Sequence, residues 1–167
     1  MTRKRFMLIA GEASGDLLAA ELVKALKQLP GVQAMPFPPE FFGAGGPKLA
    51  EAGVNLAIDL TQHSVIGLFD ALKKYSEFKR IFGQLFQLAL EREPDVIICV
   101  DFSGFNRRFA HAIRKHVRAR ERIFFNWKPK IVQYVSPQVW ASRPDRAYQL
   151  AEDIDLLLSI FPFEKEW

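Results

Sequence analysis

A chain of 167 residues with 23 Lys and Arg against 19 Asp and Glu, for a net charge of +4, is long enough to bury one sizeable core and short for two. Its 49% hydrophobic content excludes a disordered, highly charged segment, and its single cysteine, Cys99, excludes a disulfide framework or a cysteine-built metal site. The apolar run from Phe6 to Ala10 is too short for a signal peptide or a membrane-spanning helix, so a cytoplasmic protein is expected.

Arg5 to Ala10 reads as a short strand, and it opens into the polar loop Gly11-Glu12-Ala13-Ser14-Gly15-Asp16. Leu17, Leu18, Leu22, Ala25, Leu26 and Leu29 then recur at helical spacing. Pro30-Gly31 is expected to end that helix, because proline cannot continue it and glycine relaxes the exit. Past the detour Pro36-Phe37-Pro38-Pro39, a second strand is predicted near Glu40 to Gly43. A glycine-rich turn then leads to a small helix over Lys48 to Ala52.

Ser64 to Leu90 has helical periodicity and is rich in apolar residues, which predicts two helices broken near Tyr75-Ser76. Most of these residues are expected in the core. The other reading is an apolar surface for lipid chains or membrane, with Lys73, Lys74, Lys79 and Arg80 beside it for anionic head groups.

Asp95 to Val100 is a continuous apolar run behind Pro94, the pattern of a central parallel strand covered on both faces. It ends at Asp101-Phe102-Ser103-Gly104-Phe105-Asn106. A helix follows with Phe105, Phe109, Ala112, Ile113 and Val117 on one side and Arg107, Arg108, Arg114, Lys115, Arg118 and Arg120 on the other. That basic face is either the wet side of a helix or an attraction for phosphate, nucleic acid or anionic lipid. Lys130 to Val135 gives another strand, opening into Ser136-Pro137-Gln138-Val139-Trp140, and Ile154 to Ile160 the last. Strands alternating with helices predict an α/β fold with a Rossmann-like, doubly wound parallel sheet. The three polar loops then share its carboxyl edge, where such folds bind ligands.

Neither glycine-rich loop satisfies G-x-G-x-x-G, and no phosphate-cradling G-K-[ST] occurs. Asp153-Ile154-Asp155 has the form of the D-x-D of metal-dependent sugar transferases, but it leads into a strand instead of leaving one. His63, His111 and His116 show no metal-ligand pattern. No metal and no cofactor are expected. Asp101 and Glu12 stand on the carboxyl edge as candidate site carboxylates; the plain readings are a turn or cap residue for Asp101, loop-amide contacts for Glu12 with Ser14 or Asp16 capping the helix, a cap for Asn106 and core packing for Trp140.

In order along the chain stand Gly-Glu-Ala-Ser-Gly-Asp at 11–16, Gly45-Gly46-Pro47-Lys48, Val65-Ile66-Gly67-Leu68, Pro94-Asp95, Asp101 with Phe105-Asn106, Val-Ser-Pro-Gln-Val-Trp at 135–140, and Pro162-Phe163-Glu164-Lys165. That series resembles the N-terminal half of the lipid-A-disaccharide synthases, glycosyltransferase family 19. The resemblance implies a GT-B architecture of two Rossmann-like domains facing a cleft. Residues 1–167 would be the N-terminal acceptor domain, with the C-terminal UDP-sugar domain absent.

The implied reaction joins UDP-2,3-diacylglucosamine to 2,3-diacylglucosamine 1-phosphate (lipid X), giving a β-1,6-linked disaccharide and UDP by inversion. Asp101 would be the base, with Glu12 facing it across adjacent strand ends. Ser14, Gly15 and Asp16 of the first loop would contact substrate. So would Asn106, Ser136, Gln138 and Trp140. The implied setting is peripheral, on the cytoplasmic face of the inner membrane, with no nucleic acid; a homodimer stays open. Family members often carry a second tryptophan where Ser142 stands and an acidic residue where Gly104 stands. The stretch from Ala119 to Lys130 looks longer than theirs, and its Phe124, Phe125 and Trp127 either extend an acyl surface or pack beneath the longer loop.

Overall fold

The computed structural model describes residues 3–63, 71–120, 126–135 and 150–160, with the backbone alone at 63 and 71–74. Its strands are β1 (Arg5–Ala10), β2 (Glu40–Gly45), β3 (Asn55–Asp59), β4 (Val96–Val100), β5 (Lys130–Tyr134) and β6 (Leu156–Leu158). They form one six-stranded sheet in the order β3-β2-β1-β4-β5-β6, with every pairing parallel. The order reverses between β1 and β4. In an open α/β sheet that reversal leaves a crevice at the carboxyl ends, because successive crossovers depart in opposite directions.

The helices are α1 (Ala13–Gln28), α2 (Pro30–Gln33), α3 (Pro47–Glu51), α4 (Ala71–Arg92) and α5 (Ser103–Arg120). On one face Leu8, Ala10, Ile98 and Val100 pack against Ala19, Ala20 and Val23 of α1 and Leu49 of α3. On the other, Met7, Ile9, Ile97 and Cys99 meet Ile81, Leu85 and Ala89 of α4 and Phe109 and Ile113 of α5. A strand apolar at every position buries side chains alternately on both faces, which is why β4 reads as an unbroken hydrophobic run. Burial pushes the Cys99 thiol up to about 12, so it behaves as a small core hydrophobe.

Some boundaries differ from expectation. Over its described part, Ala71–Arg92, the long apolar stretch is one helix running through Tyr75-Ser76, since neither residue carries the steric penalty of a true breaker and the stripe Ile81, Leu85, Ala89 continues in phase. Residues 64–70, where the stretch begins, lie outside the described residues. Pro30 does not merely end α1. Leu29 turns extended and Pro30 opens the short α2, using the first-turn tolerance of proline. Strand β3 was not expected, because Asn55-Leu56-Ala57-Ile58-Asp59 at the sheet edge carries little β-branching. The last strand is shorter than Ile154 to Ile160.

Asp155 fastens that last strand. Its carboxylate accepts from the Ile131 main-chain N–H at 2.7 Å and from Lys130 Nζ at 3.1 Å, and pairs with Arg114. Burial alone would raise its carboxyl, but these partners outweigh burial and hold it below the usual carboxylate range. A carboxyl lowered by folding stabilises the fold above its unfolded pKa, and that contribution is lost as pH falls through the folded value. Asp155→Asn should therefore lower the thermal midpoint above roughly pH 4, with the deficit narrowing in more acid solution. A deficit unchanged down to the acid transition would contradict this role.

Candidate functional site

The strand register places the candidate carboxylates. Ala10 lies opposite Val100 and Val100 opposite Tyr134, so the carboxyl ends of β1, β4 and β5 lie side by side. Gly11 lets the loops after β1 and β4 interlock. A Cβ there would stand 2.3 Å from the Phe102 ring, a distance no side chain tolerates, so the missing Cβ admits the ring over the end of β1. Gly15 in turn lies against the β4 exit, its Cβ position 3.7 Å from the Asp101 Cβ and 3.5 Å from the Val100 carbonyl oxygen. The loop carrying Glu12 and the turn carrying Asp101 thus form one wall at the sheet's switch point.

Glu12 is the N-cap residue of α1, extended at φ −130° and ψ 159°, yet its side chain makes no capping hydrogen bond. It is exposed, as is Ser14. The main chain does the local work, with the Glu12 carbonyl accepting from Asp16 N–H at 2.8 Å. Asp101 is half-buried. The hydrogen bonds described for it fall on its main chain. Its N–H donates to Tyr134 at 2.9 Å, and its carbonyl accepts from Asn106 and Gln133. It does not cap α5, because the carbonyl of Phe102 accepts the Asn106 N–H at 3.1 Å and so occupies the cap position. Asp101, Phe102 and Val135 have positive φ of 48°, 45° and 72°, which costs roughly 1–3 kcal/mol at each non-glycine residue. All three lie on the carboxyl edge, while the fourth such residue among those described, Glu93 at 42°, precedes β4 at the amino edge.

Two expected substrate contacts are placed elsewhere. Asp16 is 2% exposed, and its carboxylate accepts from Gly46, Lys48 and Leu49 N–H at 2.8, 2.9 and 3.1 Å. It satisfies orphan donors at the start of α3, a neighbouring helix rather than its own. Asp16→Ala would strand those donors in a buried place and should cost about 2–3 kcal/mol, read as a lower urea midpoint. A midpoint equal to the parent's would remove Asp16 as the anchor of α3. Asn106 is fully buried and directs its amide at main-chain carbonyls beneath the site, so it neither caps α5 nor reaches the surface. Ser136, Gln138 and Trp140 lie outside the described residues.

Gln133 was missed. It is 1% exposed and donates through Nε2 to the carbonyls of Val135 at 3.1 Å and Asp101 at 3.4 Å. The available signal was a polar amide at an inward position of Ile131-Val132-Gln133-Tyr134, where alternation demands an apolar residue.

Beside Asp101 an apolar groove runs between α4 and α5, walled by Phe78, Phe82, Phe102 and Phe105 with Lys79 and Arg108 at its rim. Phe102 and Phe105 stack with ring centres 5.5 Å apart. Of the basic face of α5, Arg114 and Arg118 are structural, donating to the carbonyls of Asp153 and Glu152 at 2.8 and 3.0 Å. Asp153 of the D-x-D sequence is buried against His111 at 2.9 Å, and Asp155 joins the start of β5. Both therefore sit at the amino edge, away from the switch point. Trp127 packs into the core and donates to the Pro94 carbonyl at 2.9 Å on that same edge, which gives it no part in an acyl surface near Asp101. Phe124 and Phe125 lie outside the described residues. Among the described residues no helix is long and apolar enough to cross a membrane.

A family model described as Lipid-A-disaccharide synthetase matches residues 6–167. The Lipid-A-disaccharide synthase of Trichlorobacter lovleyi is 37% identical over 161 residues, covering 96% of this chain and 38% of the relative. That of Geobacter sulfurreducens is 35% identical over 163 residues, covering 98% and 38%. Lipid-A-disaccharide synthase 1 of Legionella pneumophila, strain Lens, is 38% identical over 162 residues, covering 96% and 38%. The chain spans about 38% of the length of these curated relatives.

Proposed function

The chain belongs to the lipid-A-disaccharide synthetase family, and we propose that it is the acceptor-holding domain of a GT-B glycosyltransferase of lipid A biosynthesis. The complete enzyme transfers diacylglucosamine from UDP-2,3-diacylglucosamine to lipid X, releasing UDP and forming the β-1,6-linked disaccharide 1-phosphate. The donor nucleotide is held by a second, C-terminal domain beyond the residues of this chain.

Asp101 takes the proton of the acceptor 6-hydroxyl as that oxygen bonds to the donor's anomeric carbon. The carbon–oxygen bond to UDP breaks on the opposite face, so the configuration inverts and the bonding electrons leave with UDP. Glu12 orients the acceptor hydroxyl from the neighbouring loop. Ser14, Gly15, Ser136, Gln138 and Trp140 are proposed to complete the saccharide contacts. The observation that carries this reading is the interlock of Gly11 with Phe102 and of Gly15 with Asp101, which brings two acidic loops to one crevice. The aromatic groove with Lys79 and Arg108 at its rim suits an acylated anion at the cytoplasmic face of the inner membrane.

Supplying the complete enzyme with both substrates tests the proposal. Disaccharide and UDP should appear together in equal amounts. Saturable binding of lipid X with no transfer would instead make this domain a lipid-binding module without catalysis.

A further inference from the structure

Asp101 leaves β4 through two successive left-handed residues, at φ 48° and 45°, a conformation that persists only where its surroundings over-determine it. Two buried amides supply that constraint. Asn106, 0% exposed, aims Nδ2 at three carbonyl oxygens where β1 and β4 end, those of Asp101 at 2.8 Å, Val100 at 3.3 Å and Ile9 at 3.5 Å. Gln133 approaches the Asp101 carbonyl from the β5 side at 3.4 Å and that of Val135 at 3.1 Å. The Asp101 carbonyl is thus the acceptor common to both side chains.

The orientation of the Asn106 amide follows from its neighbours, since the flipped form would set its oxygen against three other acceptors. Its Oδ1 is buried with no hydrogen-bond partner among the described residues. Such an orphan oxygen carries a desolvation cost that an apolar side chain would avoid. The return for that cost lies in the carbonyls that Nδ2 serves, chiefly that of Asp101.

We propose that Asn106 and Gln133 are positioning residues that clamp the main chain of Asp101 and so aim its carboxylate at the acceptor hydroxyl. This rests on the reading of Asp101 as the general base. The clamp also ties β4 to both of its neighbours, so the base keeps its place relative to the Glu12 loop.

The test is steady-state kinetics of the complete enzyme with Asn106→Ala, Gln133→Leu and Asp101→Asn, singly and combined, beside thermal midpoints. Asn106→Ala should lower kcat by roughly 100-fold, the scale of a misplacement near 1 Å, while the acceptor KM stays within about threefold. Gln133→Leu, which keeps the side-chain volume, should act in the same direction and carries the test if Asn106→Ala does not fold. Neither change should reduce further the residual rate of Asp101→Asn, because side chains acting through one group are not additive. Parental kcat in both amide variants would overturn the clamp, and so would a raised KM at unchanged kcat. An equal proportional loss in the parental and Asp101→Asn backgrounds would also overturn it. Parental turnover in Asp101→Asn would instead remove the base itself.

Discussion

Asp101→Asn in the complete enzyme should lower kcat by roughly 100- to 10,000-fold, the range a positioned general base contributes, with the fold intact. The substitution is clean for a local reason. Asparagine accepts the left-handed backbone as readily as aspartate, so the φ of 48° is retained. The hydrogen bonds described for residue 101 fall on its main chain and survive the change. What disappears is the carboxylate as a proton acceptor. A thermal midpoint near the parent's together with the lost turnover assigns the effect to chemistry. Undiminished turnover would show that another group takes the proton.

Gly43→Ala should be among the most damaging single changes to the fold. Gly43 has φ of 145°, and a Cβ there would stand 2.0 Å from the carbonyl oxygen and 2.8 Å from the nitrogen of Leu8. Those atoms belong to β1, the strand that carries the Glu12 loop, so relief requires prising β1 from β2. The ladder to β3 already slips its register between Gly43 and Ala44, as glycine in a strand often signals. Strain and overpacking together should cost about 4 kcal/mol, a large part of a typical domain's stability. Gly83→Ala is the control, because a Cβ there meets nothing within 4 Å, and a helix gains roughly 0.5–1 kcal/mol from that exchange. Equal urea midpoints for the two variants would contradict the packing described.

The sheet was readable in the sequence where burial leaves an unambiguous pattern. Val96–Val100 is buried on both faces and shows as an apolar run, whereas β3 at the edge is half-exposed and shows almost none. The break expected at Tyr75-Ser76 failed because weak helix preferences there yield to the tertiary packing of α4. Polar residues divided differently. That Asp101 follows a central strand is a matter of topology and could be read in advance, while the role of Asp16 depends on where α3 docks, some thirty residues away in sequence. Gln133 showed as a polar break at an inward strand position, but its role did not, because its partners are main-chain carbonyls, which leave no trace in side-chain types.

The account depends on the acceptor lying at the β1 and β4 exits of this chain. Amide chemical shifts recorded while lipid X is added below its aggregation concentration test that directly. Saturable changes should centre on Gly11 to Gly15 and on Asp101 to Phe105, with no such response to UDP alone. Changes centred on the amino edge, at Asp95, Trp127 and Asp155, or a switch-point response to UDP without one to lipid X, would contradict it.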